Sequence, residues 1–154
     1  MYDTSVKGAI QYESRYKQLI DFSGLVRHRG ISPTDIDGFI DYGGNAFIYM
    51  DAKLYGKELS VGQRIAYQNL VKSHGIAKKP TCAIIWRHNV PQDRHIMAHE
   101  KYVDEFYCNM SMKLGDENIN HKYNTWNKLK ENSWTLLDFL NEMESVWTSL
   151  GYNL

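Results

Sequence analysis

Residues 35–53 read Asp35-Ile36-Asp37-Gly38-Phe39-Ile40-Asp41-Tyr42-Gly43-Gly44-Asn45-Ala46-Phe47-Ile48-Tyr49-Met50-Asp51-Ala52-Lys53, and the fold turns on how this stretch pairs with itself. Residues 35–42 alternate as a strand, and so do residues 46–53. Between them, Gly43-Gly44-Asn45 supplies the positive-φ residues that a tight hairpin needs. A loop of those three residues sets Tyr42 opposite Ala46, and counting back sets Asp37 opposite Asp51. Side chains alternate faces along a strand, so Asp51 and Lys53 share one side. Cross-strand neighbours share a face, with Cβ atoms within about 5.5 Å. Asp37, Asp51 and Lys53 are therefore expected to converge. A two-residue loop would shift the pairing by one and break the cluster.

Working outward, Ser60-Val61-Gly62-Gln63 has the form of a capping box, so a helix is expected from 61 to about 74. The run Thr81–Trp86 is apolar and short, consistent with a buried strand. Strand, helix and strand in succession point to a crossover with 81–86 parallel to an earlier strand. Residues 96–108 form a further candidate strand, although Asp104-Glu105 interrupts its apolar character. Residues 115–124 are polar and read as loop. A last helix starts at Thr135, with Asp138 as box partner and Leu136, Leu137, Leu140, Met143, Trp147 and Leu150 as its buried stripe. Upstream, residues 8–26 read as a helix ending near Gly30. The class expected is α/β, with a central mixed sheet flanked by helices.

A chain of 154 residues with 43% hydrophobic and 23% charged residues suits one globular domain, 1–154. No apolar run is long enough to span a bilayer. The N-terminal residues lack a signal-peptide core, so a cytoplasmic setting, in a bacterium or an infected host, is expected. Cys82 and Cys108 are too few for a disulfide scaffold and are expected to be reduced and buried. Net charge is zero, yet residues 1–90 carry 12 basic against 8 acidic residues and residues 91–154 carry 6 against 10. A cation bound by the acids of the first part would leave that part with a basic surface suited to nucleic acid.

Two carboxylates beside a lysine form a chemically defined set. Mg²⁺ (or Mn²⁺) takes carboxylate and water oxygens, so Asp37, Asp51 and the backbone carbonyl of Ala52 could hold it and leave room for water and a phosphate oxygen. A metal held there would activate water and offset charge on a phosphodiester, and Lys53 could position the water or stabilise developing charge. The same residues would equally make a solvated salt-bridge network. Asp35 and Asp41 load the same face with further acid, which calls for a neutralising partner. Gln63 and Tyr67 lie four apart on one helix face, within reach of this site, although Gln63 could simply close the capping box and Tyr67 could be core. Glu13 falls on or near the apolar side of the first expected helix and is a third candidate carboxylate. Arg64, Lys72 and Lys78, with Lys79, could grip phosphates. His88, His95 and His99 read first as nucleic-acid contacts or surface residues, and Trp126 and Trp134 as stacking or dimer-contact residues.

These residues resemble the PD-(D/E)XK nuclease superfamily. The family pattern, an acid on one strand and then acid-x-lysine on the next, is matched by Pro33-Thr34-Asp35-Ile36-Asp37-Gly38 and Asp51-Ala52-Lys53. Both Asp35 and Asp37 fit the first acid position; the three-residue loop favours Asp37. Gln63-Arg64-Ile65-Ala66-Tyr67 is similar to the Q-x-x-x-Y motif of RecB-type nucleases, and the size resembles small phage-encoded nucleases and junction resolvases. The likeness covers about residues 10–87. It implies a restriction-endonuclease-like core and Mg²⁺-dependent hydrolysis of DNA phosphodiesters, with branched or recombination-associated DNA as substrate by analogy. Asp37, Asp51, Lys53, Gln63, Tyr67 and Glu13 would form its site, and an enzyme that cuts both strands would act as a homodimer. The alternative is a catalytically silent nuclease-fold module that binds nucleic acid or a host protein, such as a phage counter-defence factor.

Overall fold

The computed structural model describes residues 7–10, 12, 14, 17–18 and 21–154. The chain falls into two compact units, Met1–Asp35 and Ile36–Leu154. In the first, the described residues do not form the helix expected over 8–26. Residues 7–9 and 17–18 are turn and bend and Ser14 is helical, while residues 11, 13, 15–16 and 19–20 of that span lie outside the described residues. Ser23–Leu25 and His28–Gly30 are single 3-10 turns. Ile10, expected on the buried side, is exposed. Gly30 adopts positive φ (72°), and Arg29 before it also turns left-handed (61°), but no α-helix among the described residues ends there.

The second unit is α/β. Strands β1 (Gly38–Asp41), β2 (Phe47–Leu54), β3 (Thr81–His88), β4 (Tyr102–Cys108) and β5 (Trp126–Lys128) form one mixed sheet in the order β1-β2-β3-β4-β5. Only β2 and β3 run parallel; the other pairs are antiparallel. Parallel neighbours need a crossover, and the helix α1 (Val61–Ile76) provides it. A second helix, α2 (Leu136–Ser149), follows β5. Strand β3 is central and buried along nearly its whole length, as expected of a strand covered on both faces.

Each face of the sheet carries its own apolar layer. Ile48, Cys82, Ile84, Trp86, Val103, Phe106 and Cys108 pack with Leu136, Phe139, Met143 and Trp147 of α2. Tyr49, Ala83, Ile85 and Tyr107 pack on the other face with Leu59 and with Tyr67 and Val71 of α1. Odd-numbered residues of β2 and β3 thus look toward α1 and even-numbered residues toward α2. Asp51 and Lys53 are odd and belong to the α1 face.

The hairpin register is the one expected. Tyr42 N–H donates to the Ala46 carbonyl, 3.0 Å, Gly38 pairs with Met50, and Asp41 pairs with Phe47. Gly43 and Gly44 take φ of 61° and 77°, and Asp41 Oδ1 accepts from Gly44 N–H, 2.6 Å. That bond assigns Asp41 to the turn. The capping box on α1 is complete: Gln63 N–H donates to Ser60 Oγ and Ser60 N–H donates to Gln63 Oε1.

Four expectations need correction. Cys82 and Cys108 are not thiols but a disulfide; they stand directly opposite one another on β3 and β4, a pairing that spacing along the chain cannot reveal. The strand expected over 96–108 begins only at Tyr102, after a 3-10 turn at Ala98–Glu100. On α2 the buried stripe runs through Phe139, whereas Leu137 and Leu150 are exposed. Trp126 and Trp134 pack inward, on Tyr107 and Phe139 respectively.

Candidate functional site

Asp51 sits in the middle of β2, where the parallel partner β3 lies on one side and the short β1 on the other. It is 2% exposed. A buried carboxylate requires compensation, and two residues supply it. The Tyr67 hydroxyl donates to Asp51 Oδ2 at 2.9 Å. Lys53 Nζ lies 3.2 Å from Oδ1. The ammonium makes the ionic contact without hydrogen-bond alignment, so Oδ1 is buried with no hydrogen-bond donor. Tyr67 reaches Asp51 because the loop of residues 55–60 returns the chain over the sheet and sets the second turn of α1 above β2. Its ring is core and its hydroxyl is polar contact, so both readings of that residue hold at once.

Asp37 precedes β1 by one residue, and the β1–β2 register continued by one step sets it opposite Asp51. Its Oδ2 accepts the backbone N–H of Ala52 at 2.8 Å. The carboxylate therefore takes over the ladder where the strand ends. It is exposed while Asp51 is buried, so the two aligned acids differ in their access to solvent. The field of Asp37 extends to His88, where it opposes burial and the Lys101 charge, which together hold the imidazole below its ordinary pKa.

A hard divalent cation can be bound through one or two carboxylates with water completing its shell. The Asp37–Asp51 pair supplies two such carboxylates, but Oδ1 of Asp51 faces Lys53 Nζ at 3.2 Å, so a cation there would have to take the place of that ammonium. Among the described residues no group of three or more His, Cys, Asp or Glu could hold a metal ion. Any ion here would thus rely on water and substrate for most of its shell. Glu13, the third candidate carboxylate, lies outside the described residues.

Gln63 is at the right place on α1, but its amide is engaged with Ser60. Arg64 is tied to Glu105 at 2.6 Å and to Glu58 at 3.1 Å, and its guanidinium stacks over the Trp126 ring at 5.0 Å. The hydrogen bond that Arg64 donates to Glu105 leads the causes that hold the Arg64 pKa above its ordinary value. Lys72 and Lys78 are exposed and stand apart from the acid pair. At 1.5 Å per residue, Lys72 is about 12 Å farther along the helix axis than Arg64, and Lys78 lies beyond the C-terminal end.

The sequence reading missed a charged network on the same sheet face. Arg87, paired with Lys53 across β2–β3, is buried. It donates to Asp104 at 3.0 Å, to Glu58 at 3.1 Å, and to the carbonyls of Leu54 and Lys57. The register slips between Ile85 and Trp86, so that Ile85 faces Glu105 while Trp86 faces Val103. This leaves Asp104 as an extra residue on β4. A bulge re-aims side chains, and here it lets consecutive acids both serve arginines, Asp104 for Arg87 and Glu105 for Arg64. The signal was present in the sequence: charges within apolar strands demand partners. Arg87 ends one such run, and Asp104-Glu105 interrupts another.

On the far side of the acid pair, Phe39, Phe47, Tyr49 and His74 form a stack, with Phe39 to Tyr49 at 5.1 Å and Phe47 to His74 at 4.3 Å between ring centroids. The Tyr49 hydroxyl and His74 Nε2 are 2.8 Å apart. Burial holds the His74 imidazole below its ordinary pKa.

No helix among the described residues is long and apolar enough to cross a membrane. No family model, curated protein or solved structure matches this chain.

Proposed function

We propose that the protein is a metal-dependent deoxyribonuclease of the PD-(D/E)XK type, and that its second unit is a form of the restriction-endonuclease-like core. One observation carries the reading. The hairpin register aligns Asp37 with Asp51, and Asp51 is buried with Lys53 and Tyr67 on its two oxygens. Burying a carboxylate is costly and a packed apolar residue would serve stability better, which argues for a chemical role.

On this reading Asp37 and Asp51 hold Mg²⁺ or Mn²⁺, with Glu13 and the Ala52 carbonyl as further candidate donors. The ion would supply a more acidic water and offset phosphate charge. Lys53, which stands 3.2 Å from Asp51 Oδ1, would be the ammonium available to orient the water or to offset charge on the scissile phosphate. Tyr67 fixes the Asp51 carboxylate in one rotamer. Gln63 caps the helix that delivers Tyr67 and so acts by positioning. Arg64, Lys72 and Lys78 are the candidate contacts to the DNA backbone. The proposed setting is the cytoplasm of a bacterium or infected host, with branched or recombination-associated DNA as substrate and a homodimer as the acting form. The Cys82–Cys108 disulfide is fully buried, which shields it from attacking thiols.

The test is cleavage of linear, nicked and branched DNA with Mg²⁺ or Mn²⁺ by the wild type and by Lys53→Ala. Divalent-dependent cleavage that disappears in the variant, with the melting temperature preserved, is the expected result. No cleavage of any of these substrates with either ion would remove the enzyme.

A second reading is favoured by a specific observation. The Gln63 amide is committed to its cap and Lys53 already neutralises Asp51. A nuclease-fold module that binds nucleic acid or a host protein without cutting would need nothing more. Binding of DNA without turnover in the same assay would select it.

A further inference from the structure

Glu58 lies in the loop between β2 and α1, and its side chain is 62% exposed. Exposed carboxylates are normally left to water, yet both oxygens of this one are occupied. Oε2 accepts from Arg64 and Oε1 from Arg87, each at 3.1 Å. The two guanidiniums do not depend on Glu58 for their position. Arg64 is anchored by Glu105 at 2.6 Å and by the Trp126 ring. Arg87 is anchored by Asp104 and by the carbonyls of Leu54 and Lys57. Each arginine thus has its own acid on β4, held by the sheet, and Glu58 is the surplus carboxylate supplied by a loop.

Arginine forks bind the paired oxygens of carboxylates and phosphates in the same manner. The seat that Glu58 fills stands on the same sheet face as Asp51 and Lys53, with Arg87 the cross-strand partner of Lys53. We propose that Arg64 and Arg87 form a binding site for a backbone phosphate of nucleic acid, and that Glu58 is a resident carboxylate which that phosphate displaces. The identity of the phosphate as one next to the scissile bond rests on the nuclease reading; the oxyanion seat itself does not. Displacement costs little, since the phosphate oxygens take over both guanidinium contacts and the freed Glu58, 62% exposed already, returns to water. It also gives the site a threshold: weak or wrongly placed anions fail to dislodge the carboxylate.

The test is the affinity of a fluorescently labelled oligothymidylate, by anisotropy in EDTA, for the wild type, Glu58→Gln and Arg64→Gln. Inorganic phosphate is titrated in parallel. Glu58→Gln is expected to bind the oligonucleotide about tenfold tighter and Arg64→Gln about tenfold more weakly, the size of one charged hydrogen bond. Arg64→Gln should also lower the slope of log affinity against log salt by about one. Arg64→Lys, which keeps the charge and loses the fork, covers a failure of the glutamine variant to fold and should also weaken binding. Unchanged or weaker oligonucleotide binding by Glu58→Gln would overturn the proposal, because a loop clamp would lose stability without gaining affinity. Tightening seen with inorganic phosphate alone would overturn the assignment to nucleic acid. EDTA separates the two claims: tighter binding without any Mg²⁺-dependent cleavage would keep the seat and reject the nuclease.

Discussion

Replacing Tyr67 with phenylalanine isolates the contact on which the site depends. The substitution removes one oxygen from a residue that is 2% exposed and leaves the ring in place, so no cavity term arises. What disappears is the 2.9 Å hydrogen bond to Asp51 Oδ2. Asp51 Oδ1 has no hydrogen-bond donor of its own, so the buried carboxylate would be left with the ionic contact to Lys53 alone. A hydrogen bond to a charged group contributes about 1.5–3 kcal/mol. Taking about 2 kcal/mol, and the entropy of unfolding of a chain of this size, the melting temperature should fall by about 4–8 °C. Thermal melts followed by circular dichroism, with urea unfolding alongside, measure it. The same substitution in an Asp51→Ala background should cost much less, because the two residues act through one contact. A Tyr67→Phe melting temperature within about 1 °C of the wild type, or equal losses in both backgrounds, would refute the idea that Tyr67 compensates a buried charge.

Titration of thiols in denaturant should find none before reduction and two after it, since Cys82 and Cys108 are joined; two at the outset would return them to the free state. Reduction should cost up to about 3.5 kcal/mol by the loop-closure relation for a separation of 26 residues, read from urea midpoints of the two forms. Folding favours the neutral imidazole of His74, whose pKa lies below the unfolded value of 6.5. Its stabilisation is complete above that value and is lost as the pH falls through the lowered folded one. The drop in melting temperature between pH 8 and pH 5 should therefore shrink in His74→Gln, and an unchanged drop would contradict the burial argument. Tyr42→Phe removes the 2.8 Å bond to Glu144 and should destabilise by about 1 kcal/mol, with a loss below about 0.3 kcal/mol in urea unfolding counting against that contact.

The parts of the fold that were legible are those specified by neighbouring residues. Gly43-Gly44-Asn45 set the hairpin, the hairpin set the register, and the register aligned Asp37 with Asp51; Ser60 and Gln63 set the start of α1. The parts that were not legible depend on partners distant in sequence. Cys82 meets Cys108 only because β3 and β4 pair. Trp126 falls in a three-residue strand too short to show alternation, and Phe139 is selected over Leu137 by the direction in which α2 packs. The charged network was missed for the same reason: Glu58, Arg64, Arg87, Asp104 and Glu105 come from a loop, a helix and two strands. Strand alternation put Asp51 and Lys53 on one face and helix spacing put Tyr67 within reach of them, whereas the partners of Arg64 (Glu105, Glu58 and Trp126) come from elements distant in sequence.

The most direct test of the account is the anomalous scattering of crystals soaked in Mn²⁺. The expected result is a peak between the carboxylates of Asp37 and Asp51, with Lys53 Nζ moved off Oδ1. Crystals with no peak at those two carboxylates, and with the Lys53–Asp51 contact intact, would contradict it.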